Sequence, residues 1–148
     1  MSGFIFTTAA AALSVTNTDD FLQLRGAAGA IVEILEIRVS QTSDTTLAMN
    51  AISIQRGTAG SGGAARSEYE YDTAGPTALV TAFSLATVDV GSVNLAIVAG
   101  WNILQEFVWL PTPEMQLHLA ASDHLGISLL NTDTLTINAQ VTWREIGV

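Results

Sequence analysis

The sequence predicts an all-β protein, an antiparallel β-sandwich that is jelly-roll-like, with a short N-terminal arm. Apolar residues recur with a period of two, turn-forming residues separate the apolar segments at intervals of roughly 8–12 residues, and no segment carries a long helical stripe. This suits the two Greek keys of a jelly roll. An immunoglobulin-like sandwich is the alternative, although its core disulfide is absent because the chain has no cysteine. At 148 residues we expect one domain at 21–148, preceded by an arm and linker at 1–20.

The first twenty residues, MSGFIFTTAAAALSVTNTDD, predict an arm rather than an export signal. They have no basic start, and Thr7 and Thr8 interrupt the apolar stretch. Residues 14–20 have the polar composition of a loop. The apolar tip of the arm consists of Phe4, Ile5 and Phe6. It either packs on its own domain or contacts a neighbouring subunit.

The clearest strand lies near the C-terminus, where TLTINAQVTW alternates strictly between apolar and polar residues. This pattern predicts a half-buried strand with a Thr, Asn and Gln face toward solvent. The residues expected to face the core are Leu135, Ile137, Ala139, Val141 and Trp143. Further strands are predicted, in chain order, at 21–25, 30–41, 47–56, 67–72, 78–88, 93–99, 103–110, 115–120 and 125–130.

Two of these segments carry additional expectations. In segment 30–41 the alternation is less clean, with one face made of Ile31, Leu35, Ile37 and Val39 and the other of Val32, Ile34, Glu36 and Arg38. Segment 77–88 is also the best candidate for a helix.

The glycine-rich stretch QRGTAGSGGAARSEYEY, at 55–71, suggests a phosphate-binding loop at first sight. A Walker loop requires a lysine and a following helix, and the chain has no lysine, while an alternating acidic strand follows the glycines. We therefore expect a long, mobile connection between antiparallel strands. Arg56 and Arg66 flank this connection and are candidates for pairing with acidic groups on a neighbouring subunit.

The charge balance excludes several classes of partner. The formal net charge is −9, and all five basic residues are scattered arginines, so nucleic acid and anionic membrane surfaces are not expected partners. Only 13% of residues are charged and 49% are hydrophobic. Such a composition fits either a surface buried against other subunits or an alanine-rich domain with a neutral polar exterior. No apolar run has the length of a membrane-spanning helix.

No catalytic, cofactor-binding or metal-binding set of residues is evident, and we expect a protein that is not an enzyme. His118 and His124 are the only histidines, and they lie too far apart in the sequence for a cupin-type His-x-His pair. The carboxylates show no pairing that fixes a catalytic distance. Among the aromatic residues, Trp143 is expected in the core, whereas Trp101 follows a glycine near a turn and is expected to be partly exposed.

The sequence resembles small proteins encoded among the head genes of tailed bacteriophages. The resemblance rests first on the C-terminal half, where a Trp-bearing strand, the motif WLPTPE, two apolar strands and a polar-faced strand ending in WREIG follow in order. It extends upstream to LRGAAGAIVEILEIRVSQTSD and to LAMNAISIQRGTAGSGGAA.

The resemblance implies a jelly-roll decoration (cement) protein that binds the outside of the capsid as a homotrimer and bridges major capsid subunits. It implies assembly in the host cytoplasm and carries no catalytic residues. A chain that is acidic and has no lysine would be repelled by packaged DNA, which agrees with an outer position.

Two other classes of function remain open at this stage. One is a receptor- or carbohydrate-binding head of a virion fibre, in which Trp101 or the pair Tyr69 and Tyr71 would stack on sugars. The other is a metal-dependent, cupin-like enzyme, for which the two histidines are an incomplete ligand set.

Overall fold

A computed structural model of the chain describes residues 3–42, 49–71, 73, 75–91, 95–131 and 134–146. Within these ranges the chain forms β-strands and one turn of 3₁₀ helix at Pro113–Met115. The strands are β1 (Phe4–Val15), β2 (Asp20–Arg25), β3 (Ile31–Gln41), β4 (Met49–Gly57), β5 (Ala64–Arg66), β6 (Tyr69–Glu70), β7 (Thr81–Ser84), β8 (Leu95–Asn102), β9 (Phe107–Trp109), β10 (Leu117–Leu119), β11 (His124–Leu129) and β12 (Leu135–Ile146).

The strands form two antiparallel sheets with jelly-roll topology. The first sheet has the order β10-β3-β12-β1-β6, with β9 also paired to β3, and the second has the order β5-β7-β2-β11-β4-β8. Strands from the first half of the chain pair with strands from the second half in reverse order: β1 with β12, β2 with β11, β3 with β10 and β9, and β4 with β8. The predicted all-β sandwich is thus confirmed.

The predicted strands from residue 21 onward all contain a strand in the structure, although several are shorter than expected. Segment 67–72 contributes only the two residues of β6. The helix considered for 77–88 is wrong, because this segment contains β7, which pairs along its full length with β2.

The N-terminal arm expected at 1–20 is a strand over most of its length. From Phe4 to Val15 the chain pairs with β12, and it also pairs with β6 on its other side. The period of two was hidden because alanine occupies both faces of β1. A register shift between Ala10 and Leu13, with Ala12 at a φ of 53°, then changes which side chains point inward.

Strand β3 also departs from simple alternation. The register with β12 shifts between Thr142 and Trp143, opposite residues 34–36 of β3. Before this bulge the even-numbered residues face the core, and Val32 and Ile34 are buried. After it the odd-numbered residues face the core, and Ile37 and Val39 are buried. Ile31, which the alternation places on the same face as Ile37 and Val39, is therefore exposed.

The core lies between the two sheets, and both contribute to it. Trp143 is fully buried, as expected from its strand, and its ring stacks on Phe6 with 6.0 Å between centroids. The other alternating positions of β12 are buried as predicted. The largest fully buried side chains are Trp143, Phe6, Phe21, Leu13, Leu22, Leu24, Ile34, Ile37, Ile52, Ile54, Leu119 and Leu125.

A buried carboxylate at the end of β12 holds the long β4–β8 connection against this core. Glu145 Oε1 accepts hydrogen bonds from Trp143 Nε1 at 3.1 Å and from the Val80 backbone N–H at 3.0 Å. Its Oε2 accepts from the Leu79 N–H at 3.0 Å. One side chain therefore satisfies three donors from two parts of the chain.

We expect Glu145→Ala to lower the free energy of unfolding by about 2–4 kcal/mol, because three donors lose a charged acceptor. Glu114→Ala is the control, since Glu114 is exposed on the 3₁₀ turn, and it should change stability by less than about 0.5 kcal/mol. Urea denaturation measures both values. Equal midpoints for the two variants would contradict this role for Glu145.

Candidate binding surface

The glycine-rich stretch at 57–63 is paired with the chain segment at 85–91 rather than free. The Ser61 N–H donates to the Val88 carbonyl at 3.3 Å, and the Val88 N–H donates back to Ser61 at 3.2 Å. The Ala59 N–H donates to the Val90 carbonyl at 3.2 Å. The expectation of a mobile connection is therefore replaced by a bonded one, in which the backbone hydrogen-bonding groups are used within the chain.

The glycines of this loop allow it to pack closely against residues 87–90. Gly62 has a φ of 72°, and a Cβ added to it would overlap Thr87 Oγ1. Gly57 lies so close to the Val90 carbonyl that a Cβ there would overlap its oxygen. The loop needs glycine both for its left-handed backbone and for the approach of two chain segments.

A polar cluster made by Asp20, Gln23 and Arg25 of β2 contacts this connection. Asp20 Oδ2 accepts from the Val90 N–H at 2.9 Å and from Gln23 Nε2 at 2.8 Å. Gln23 Nε2 also donates to the Val88 carbonyl, and Arg25 donates from Nε to Gln23 Oε1 and from a terminal nitrogen to the Gly62 carbonyl. These groups join the connection to the second sheet.

Burial raises the pKa of Asp20, whose residue is only 1% exposed. The hydrogen bonds from Val90 and Gln23 oppose this shift, whereas the charges of Asp89 and Asp19 add to it. Its other oxygen, Oδ1, is buried without a hydrogen-bond partner. The carboxyl group also lies against Gly126 of β11, where a side chain would overlap it.

The two arginines expected to reach a neighbouring subunit are bonded within the chain. Arg56 donates from a terminal nitrogen to the His118 carbonyl at 2.7 Å. Arg66 donates from Nε to Ser84 Oγ at 2.6 Å. Each therefore has a structural role in positioning the ends of the glycine-rich loop.

The three apolar residues at the start of β1 have different environments. Phe4 is 39% exposed, Ile5 is half-buried, and Phe6 is buried against Trp143. Phe6 is therefore a core residue. Phe4 is the member of this group that offers surface to a partner.

The expectation that Trp101 is partly exposed is wrong. Trp101 is 2% exposed, and its Nε1 donates to the Gln105 carbonyl at 2.8 Å. Its position in β8 points inward, and the preceding Gly100 lies outside instead. By contrast, Tyr69 and Tyr71 are exposed.

The histidines lie apart and have separate partners. His118 Nε2 is 3.5 Å from Glu33 Oε1, and His124 Nδ1 accepts from the Gly26 N–H at 3.0 Å. In the described part of the chain, no three His, Cys, Asp or Glu residues come together as a metal-binding group. No helix among the described residues has the length and apolar character needed to cross a bilayer.

The segment that follows β8 exposes large apolar side chains that sequence reasoning missed. They lie on the segment that leaves β8 and follows the β3 edge of the first sheet as β9, the 3₁₀ turn and β10. Leu110 is 71% exposed and Met115 is 72% exposed. We call this set the apolar side, and it consists of Leu104, Val108, Leu110 and Met115.

A charged cluster lies beside Val108, which pairs with Arg38 of β3. Arg38 of β3 pairs with Glu36 and, at 3.6 Å, with Glu106. Large apolar side chains that remain exposed are typical of a protein interaction site when they form a patch. No family model, curated protein or solved structure matches the chain.

We expect Gly62→Ala to destabilise the fold by about 2–4 kcal/mol, since it adds a left-handed backbone penalty to an overlap with Thr87. Gly91→Ala is the matched control because Gly91 has a similar φ of 74° but open space around its Cβ position. The free energy of unfolding of that variant should fall by only about 1–2 kcal/mol. Thermal unfolding compares them, and equal losses would argue against tight packing at Gly62.

Asp20→Asn should stabilise the protein at pH 7, because it removes a buried charge while keeping one oxygen to accept from Val90 and Gln23. The raised pKa means that the folded chain holds this proton more tightly than the unfolded chain, where the ordinary value is 3.8. The contribution of Asp20 to stability is therefore complete below that value and is lost as the pH rises through the raised pKa.

The free energy of unfolding of Asp20→Asn should therefore exceed that of the natural chain by less and less as the pH falls from 7 toward 4. Urea denaturation across this range measures it, with Glu114→Gln as the control for loss of an exposed carboxylate. An advantage that does not change with pH, or a less stable Asp20→Asn protein at pH 7, would contradict the assignment.

Proposed function

We propose that this chain is a capsid decoration (cement) protein of a tailed bacteriophage. It binds the outside of the shell as a homotrimer and stabilises it by bridging major capsid subunits. The observation that carries the proposal is the apolar side, whose residues lie within and on both sides of the WLPTPE motif in the sequence. The resemblance to phage head proteins rests partly on this motif.

The arrangement of the motif supports a contact role. Pro111 and Pro113 interrupt the edge between β9 and β10, so the chain leaves the sheet there and presents Leu110 and Met115 to solvent. Burying two or more such side chains against a partner contributes roughly 1.5–3 kcal/mol each. Three copies in one trimer multiply weak contacts into stable attachment.

The titratable groups support a structural rather than a catalytic protein. Asp20 and Glu145 are buried and accept hydrogen bonds from the β4–β8 connection, and Glu68 accepts from the Ala82 N–H at 2.7 Å. These carboxylates hold chain segments together and do not converge on an open cleft. The net charge of −9 favours a position outside the shell, away from packaged DNA.

A receptor- or carbohydrate-binding head remains the second candidate, and one observation favours it. Tyr69 of β6 and Tyr71, which follows it, are both exposed, and β6 lies at the opposite edge of the first sheet from β9 and β10. Exposed tyrosine rings at this spacing offer faces on which sugar rings stack. Trp101 no longer supports this function because it is buried.

Binding to purified heads tests the proposal. The protein is mixed with compact and with expanded empty heads of the phage whose genome encodes it, and the heads are pelleted. We expect saturable binding to expanded heads alone, and the double variant Leu110→Asp/Met115→Asp should weaken it at least about tenfold. Tyr69→Ser is the control, since it changes an exposed residue at the opposite edge.

Absence of binding to either form would overturn the capsid proposal. Binding to a glycan array that is lost in Tyr69→Ser would then support the second candidate. Equal binding by the natural chain and the Leu110→Asp/Met115→Asp variant would show that the apolar side is not the contact surface.

A further inference from the structure

In the described part of the chain, strand β8 forms a long and regular open edge at one end of the second sheet. The first sheet ends in the two-residue β6 on one side and in the three-residue β9 and β10 on the other. The opposite end of the second sheet is the three-residue β5. Natural sheets protect their edges with short strands, prolines, bulges and charges. The terminal strands β5, β6, β9 and β10 are short, and a bulge interrupts β1 beside β6.

Strand β8 shows none of these devices. Its sequence, LAIVAGWN, contains no charged residue and no proline. Its eight residues pair with β4 from Met49↔Asn102 to Arg56↔Leu95 without a register shift, so the strand is regular. No backbone hydrogen bond joins the open side of β8 to another strand within the described chain.

The open edge is also accessible and fixed in place. Val98 is 59% exposed, and a Cβ added to Gly100 would meet nothing within 4 Å. At the end of the strand, the hydrogen bond from buried Trp101 to the Gln105 carbonyl fixes the β8–β9 turn. A partner strand therefore meets an edge that is already ordered, which reduces the entropy lost on pairing.

We propose that β8 pairs antiparallel with β8 of a second copy of this chain, about a two-fold axis at Val98. This places Val98 opposite Val98 and extends the pairing from Leu95 to Trp101. The second sheets of the two copies then form one continuous sheet. The unpaired backbone N–H and C=O groups of each β8 bond to those of the other. The contact is isologous and closed, so it does not continue into a fibre.

Charge is the reason for choosing a second copy as the occupant. Each copy carries a net charge of −9, so most surfaces of two copies repel. The edge of β8 brings no like charges together, because it carries none. A charged partner strand would find no complementary charge on β8, whereas a neutral strand such as β8 itself is suited to it. Opposed valines are also a favourable cross-strand pair.

The contact is small compared with a standard interface of roughly 1,600 Å². We therefore expect exchange between free and paired species in solution. The two-fold contact differs from the three-fold contact of the proposed trimer, so it would join two trimers if that trimer forms. It does not depend on capsid binding, and the pelleting experiment tests that function separately.

A single-cysteine crosslink tests the pairing directly, because the natural chain contains no cysteine. Residues directly opposite in an antiparallel pair have Cα atoms about 4.5–5.5 Å apart, which lies within the range of a disulfide. We expect Val98→Cys to form a covalent dimer under mild oxidation at least about tenfold faster than Leu110→Cys. Leu110 is the control because it is exposed but lies off the β8 edge.

Two measurements on unlinked protein accompany the crosslink. The molar mass from light scattering should approach twice that of the smallest species as concentration rises from micromolar to millimolar, and Val98→Lys should prevent this. Hydrogen exchange at β8 amides of the natural chain should slow over the same range.

Equal crosslinking at positions 98 and 110 would overturn the proposal. Hydrogen exchange at the β8 amides that does not change with protein concentration would also overturn it. Protection of these amides only when phage heads are added would assign the edge to a strand of another protein and would equally overturn pairing with a second copy.

Discussion

The described residues of the long connection between β4 and β8 include few buried apolar side chains, and the structure depends on the carboxylates that attach this connection to the sandwich. Glu145 accepts hydrogen bonds from the backbone N–H groups of Leu79 and Val80. Asp20 accepts one from the N–H of Val90. Because the connection is held this way, it contacts the polar residues of β2 that would otherwise face solvent. Part of the acidity of the chain is therefore structural, since buried carboxylates serve as acceptors for backbone N–H groups.

The parts of the fold that the sequence predicts correctly are those in which large apolar and polar residues alternate. Strand β12 is the clearest case, because Thr, Asn and Gln mark one face and the other is buried. Strand β1 could not be recognised, since alanine is compatible with either face and a bulge at Ala12 interrupts the period. The bulge in β3 had the same effect on the expected position of Ile31.

The binding surface was harder to predict than the fold, because exposure depends on contacts between distant residues. The parity of β8 buries Trp101, and its position after a glycine gave no sign of this. Arg56 bonds to the carbonyl of His118, a partner far along the chain. Leu110 and Met115 are ordinary core residue types, and only the path of the chain around the two prolines leaves them outside.

The pairing of β1 with β12 has a consequence for how the chain folds. These strands are neighbours inside the first sheet and lie at opposite ends of the described sequence. During synthesis the first sheet cannot form completely until β12 has left the ribosome. Until then β1 and β3 lack the strand that pairs with both of them. Contacts of such large sequence separation slow folding and prolong the time for which apolar strands are exposed to aggregation.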